Sequence, residues 1–140
     1  GEFGFVMRSE DGGESWVVDR SSKEGAPSIF GLYEAADGTV WGVGQRGFVL
    51  RRDSATGEWA QVKTGTDAIL LDISANNEGL LLVTGIRKML VINGDDLSVS
   101  TIVNTDIKTN WYQGVATPGG GSDGAHIFVG HQARILKNRN

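Results

Sequence analysis

The sequence predicts an all-β protein, a β-propeller of four-stranded antiparallel blades of which the chain carries about three and a quarter. Three observations predict it. A glycine-led segment recurs as GEFGFVMR from Gly1, GQRGFVLR from Gly44, GIRKMLVI from Gly85 and GHQARILK from Gly130, at intervals of 43, 41 and 45 residues. Glycine supplies 21 of 140 residues against two prolines, so short strands alternate with many tight turns. No window carries apolar residues at i, i+3 and i+4 over a dozen positions, which excludes a helical solenoid of similar period.

The elements follow in order. Residues 1–20 read as the last two strands of one blade, and residues 29–63 as a full blade with strands over about 29–36, 39–44, 47–53 and 58–63. Residues 69–103 make a second full blade, and 111–140 an incomplete one of three strands. The stretches LYEAADGTVWGVG (32–44), ISANNEGLLLVTG (73–85) and VATPGGGSDGAHIFVG (115–130) share one plan. In each, an apolar strand runs to a glycine turn at Gly38, Gly79 or Gly124, and the repeat glycine arrives six residues later. The third copy is three residues longer, within PGGGSDG, where a hairpin tip tolerates a change of length. Propellers close with about four to eight blades. The expectation is therefore a piece of a longer propeller, with a ring completed by further copies of the chain as the alternative assembly.

Composition narrows the function. The formal charge is −4, from 17 acidic and 13 basic residues, so no overall basic field draws nucleic acid. The absence of cysteine excludes disulfides, thiolate metal sites and a cysteine nucleophile. Apolar runs such as AILLDI and GLLLVTG are too short to cross a bilayer as helices, so no membrane insertion is expected. His126 and His131 lack a third ligand at metal-binding spacing, and NGDD and GGGSDG offer too few ordered oxygens for a calcium loop. No metal or cofactor is expected.

The motif SEDGGESW fits an Asp box, Ser/Thr-x-Asp-x-Gly-x-x-Trp, through Ser9, Asp11, Gly13 and Trp16. That spacing suits a hairpin: serine and aspartate bond the turn's own backbone, glycines accept positive φ, and the tryptophan folds back as an apolar anchor. The corresponding turns, RRDSATGEW and NGDDLSV, lose the aspartate register, as a structural turn can and a catalytic one cannot. Asp11 is therefore read as structural. Of the tryptophans, Trp41 aligns with Leu82 and Ile127 and is expected in an inter-blade core, whereas Trp111 is kept as a surface aromatic.

GEFGFVMRSEDGGESW and DGTVWGVGQRGFVLRR together resemble the Ycf48-like repeats, Asp-box-related β-propellers that include photosystem II assembly and stability factors. The third and fourth copies depart from that pattern, with Lys88 and Ala133 in place of the second glycine. The resemblance implies a scaffold that binds partner proteins, and an exported location. It also implies that arginines at equivalent repeat positions meet those partners. Here these are Arg8 and Arg51, with Lys137 at the later equivalent place, and Arg46 and Arg87 two residues after the repeat glycine. Recurrence at fixed blade positions is expected to set them around one rim. The competing reading is a fragment of an Asp-box glycosidase, sialidase-like, or a carbohydrate-binding propeller. A sialidase needs a tyrosine nucleophile and an arginine cluster, and most glycosidases need paired carboxylates. Only Tyr33 and Tyr112 could serve as nucleophile, and nothing pairs Asp37, Asp72 or Asp106, so no enzyme is expected.

Overall fold

A computed structural model describes residues 1–21, 23–118, 125–131 and 134–137. Thirteen strands among them form four antiparallel sheets. The first pairs β1 (Val6–Arg8) with β2 (Val17–Arg20). The second holds β3 (Ile29–Glu34), β4 (Val40–Gly44), β5 (Val49–Arg52) and β6 (Trp59–Val62) in chain order. The third repeats that order with β7 (Leu70–Ala75), β8 (Leu80–Gly85), β9 (Met89–Asn93) and β10 (Val99–Thr101). The fourth has β11 (Tyr112–Ala116), β12 (Ala125–Gly130) and β13 (Arg134–Lys137). Strands β3 and β11 each pack against β7, so the second, third and fourth sheets start side by side and their later strands radiate outward. This is a partial β-propeller, as the repeat predicts.

The repeat glycine has a steric cause. In each described blade the first strand bulges where it meets the end of the second: between Ile29 and Gly31, Leu70 and Asp72, and Tyr112 and Gly114. The bulge turns the carbonyl of the preceding residue toward the glycine. Ser28, Ile69 and Trp111 then accept from the N–H of Gln45, Ile86 and His131 at 3.0, 2.9 and 3.0 Å. A Cβ on Gly44, Gly85 or Gly130 would overlap those same carbonyl oxygens. Gly44 has φ −169°, which any residue adopts, so the requirement is space between backbones.

Three cores lie between consecutive sheets. Val6, Ile29, Phe48 and Leu50 join the first to the second, with Trp59 against them. The largest sets Trp41, Val43, Val49 and Val62 against Leu70, Ile73, Leu81, Val83, Leu90 and Ile92. Trp41 is thus core, as expected. Met89, Ile107, Tyr112 and Phe128 close the third, with the two rings edge-on at 4.8 Å. Ile107 belongs to a helix that the sequence does not announce, α1 (Thr105–Thr109), capped by the Asn104 side chain accepting from the Asp106 N–H. Five residues give too little periodicity to read.

Two outcomes follow from this packing. Replacing Gly44 by alanine forces β3 and β4 apart and costs about 3 kcal/mol, measured by urea denaturation. Thr84 is fully buried on β8 with its hydroxyl unpartnered among the described residues, where the preceding blade has Val43. Thr84→Val stabilises by roughly 1 kcal/mol and raises the thermal midpoint.

Candidate functional site

Antiparallel meanders sort their loops to two ends. Loops after the first and third strands of each blade, residues 9–16, 35–39, 53–58, 76–79 and 94–98, lie at one end, here the hairpin face. Loops after the second strand and the connections between blades, residues 1–5, 21–28, 45–48, 63–69, 86–88 and 102–111, lie at the other, the crossover face. The described hairpin-face loops hold Glu10, Asp11, Glu14, Asp37, Asp53, Glu58, Glu78, Asp95 and Asp96 and contain no lysine or arginine. The crossover face carries Lys23, Arg46, Lys63, Arg87, Lys88 and Lys108 against Glu2, Glu24, Asp67 and Asp106.

Turn chemistry accounts for much of that acidity. Asp37 accepts from the Thr39 N–H at 2.9 Å, Asp53 from the N–H groups of Ala55 and Thr56 at 2.9 Å each, and Asp96 from Ser98 at 2.8 Å. Each is a short side chain satisfying its own turn. The SEDGGESW turn is the fullest case. Ser9 Oγ accepts from the Gly13 N–H and donates to Asp11, both at 2.8 Å, and Asp11 accepts from the Ser15 N–H at 2.9 Å and from its hydroxyl. Gly12 and Gly13 take φ of 75° and 96°. The Ser15 hydroxyl and amide, then the Ser9 hydroxyl, hold the Asp11 carboxyl far below the ordinary aspartate range. Trp16 donates its Nε1–H to the Gly13 carbonyl at 3.1 Å and stays 57 % exposed, so this anchor rests on the turn rather than on a core.

The basic residues occupy two tiers. Arg46 and Arg87 sit exposed on the crossover face, at left-handed φ of 55° and 56°. Phe3, at the equivalent place, has φ 52°. Arg46 donates to the Gly25 carbonyl at 2.6 Å. Arg8 and Arg51 lie at the opposite ends of β1 and β5, toward the hairpin face. At about 3.3 Å per residue, one strand length separates the tiers. Arg51 lies over the Trp41 ring, 5.9 Å from its centroid, with Asp53 3.7 Å away. Arg8 pairs with Glu10 and with Asp19. The expected single rim is therefore divided, because the two basic positions lie at opposite ends of the same strand. The side chain of Lys137, like Gly124 and Ala133, lies outside the described residues.

Asp19 on β2 is the residue that sequence reading passes over. Its carboxylate accepts from Arg8 Nε at 2.9 Å, Arg52 Nε at 2.8 Å and Trp59 Nε1 at 2.7 Å, joining the first sheet to β5 and β6 of the second. Burial alone would raise its pKa, but the hydrogen bonds from Arg52, Trp59 and Arg8 outweigh that and hold it below the ordinary value. A lone acid in an apolar strand, WVVDR, is the signal that could have found it.

The fold and its two unlike faces define a β-propeller segment. No protein-family model matches the chain, and no curated protein matches it in sequence. Among solved structures it is similar to YCF48 bound to D1 peptide, with a TM-score of 0.73 and 12% identity over 99% of this chain. It is also similar to the extracellular domain of a protein described as a one-component system from B. thetaiotaomicron, with a TM-score of 0.67 and 15% identity over 90% of this chain. The chain spans 45% of the first structure and 17% of the second.

Asp19→Asn should lower the thermal midpoint at neutral pH, leaving Arg52 poorly paired at a cost of about 3 kcal/mol. Because the folded pKa is depressed, the wild-type advantage exists above the unfolded pKa of about 3.9 and is lost as pH falls below it. Thermal melts of both proteins from neutral pH into this acid range check the convergence.

Proposed function

We propose that this chain is a non-enzymatic β-propeller scaffold that binds partner proteins, in the manner of the Ycf48-like assembly factors. One observation carries the reading: nearly the whole chain superimposes on YCF48, which is itself bound to a peptide. Four of the nine hairpin-face carboxylates support the non-enzymatic part. Glycoside hydrolysis needs two carboxyl groups free to act across a substrate, whereas Asp11, Asp37, Asp53 and Asp96 accept hydrogen bonds within their own turns. Arg46 and Arg87, exposed together on the crossover face, are the basic residues through which a partner is held, and a ring completed by further blades or further copies is compatible with that role.

Selection from a random peptide display library against the immobilised chain tests the proposal. Binding peptides are expected, and replacing Arg46 and Arg87 together by glutamine should weaken them about tenfold or more. Selection that enriches no peptide overturns the scaffold reading. Hydrolysis of a fluorogenic sialoside overturns the non-enzymatic part.

A further inference from the structure

On the crossover face, Ile69, Ile86 and Trp111 are 38 %, 40 % and 43 % exposed. They form a connected group where the third sheet meets the fourth. The Ile86 N–H donates to the Ile69 carbonyl at 2.9 Å, and Ile86 forms an isolated antiparallel bridge with Trp111. One blade earlier the same backbone contact is made by Gln45 and Ser28, both polar. The repeat therefore does not require apolar side chains here, and three large ones in water are not explained by the fold.

The surroundings are cationic. Arg87 follows Ile86 at left-handed φ 56°, and its N–H donates to the Asn110 carbonyl at 2.8 Å, which fixes it beside Trp111. Its guanidinium is exposed and has no ion-pair partner among the described residues. The three loops that meet here hold Lys63, Arg87, Lys88 and Lys108 against Asp67 and Asp106. An exposed tryptophan with isoleucines and an arginine has the composition of an interface hot spot. The positive local balance selects acid in the partner.

We propose that Ile69, Ile86 and Trp111, flanked by Arg87 and Lys88, are a docking surface for a protein segment that combines apolar and acidic side chains. This rests on the protein-binding reading above and narrows it to one face and one partner chemistry. The apolar group supplies the buried area, and the cations set orientation and salt dependence.

The peptides recovered by display provide the probe. They should be enriched in aspartate or glutamate together with apolar residues, and added salt should weaken their binding. Trp111→Ala and Ile86→Ser should each weaken binding about tenfold or more with the thermal midpoint unchanged. If Trp111→Ala perturbs folding, Ile86→Ser, an exposed position, decides the result. Basic peptides, or binding that both variants leave intact, would overturn this surface while leaving the scaffold reading standing. An empty selection overturns both.

Discussion

Three backbone contacts set the geometry of this molecule. In each, a carbonyl at a bulge in the first strand of a blade faces the glycine that ends the second, at Ser28 and Gly44, Ile69 and Gly85, and Trp111 and Gly130. The missing side chain lets two backbones approach closely enough to bond just beyond the regular ladder. That contact fixes the start of the inner strand relative to its neighbour. Placement of the inner strand decides which residues face the next blade. Val43, one residue before Gly44, and Val83, two before Gly85, then fall within the same inter-sheet core.

Given that frame, blades hold together by side-chain burial between sheets rather than by hydrogen bonds within them. The core between the second and third sheets uses aliphatic residues and one tryptophan. The junction between the first and second adds a polar element, with Asp19 gathering Arg8, Arg52 and Trp59 beside a smaller apolar core. A carboxylate with three donors is satisfied where an unpaired one would be costly. The two junctions are held by different chemistry, as a repeat protein with drifting copies allows.

The repeat, the all-β class and the inter-blade place of Trp41 were legible because each depends on local spacing. The SEDGGESW stretch was legible as a turn for the same reason, since its hydrogen bonds span four residues or fewer. Asp19 left only the trace of a single acid in WVVDR, because its partner Trp59 lies 40 residues away in another blade. Helix α1 was hidden by its length. The division of Arg8 and Arg51 from Arg46 and Arg87 was hidden because a repeat position gives periodicity around the axis but not height along it. The exposed group of Ile69, Ile86 and Trp111 was only partly visible. Trp111 stood out alone, and only the backbone contacts across the bulge bring Ile69 and Ile86 beside it.

The hairpin face draws its charge from the same side chains that close its turns, and that coupling has a consequence for approach through solution. Asparagine closes such turns as well as aspartate does: Asn76 accepts from the Glu78 and Leu80 N–H groups, and Asn93 accepts from Asp95. Exchange between the two amino acids alters the electric moment along the axis while each hairpin keeps its shape. A molecule whose loops carry only carboxylates at one end and a basic excess at the other rotates in the field of a charged partner before contact. The direction in which it presents itself can therefore be retuned one turn at a time, with no blade repacked.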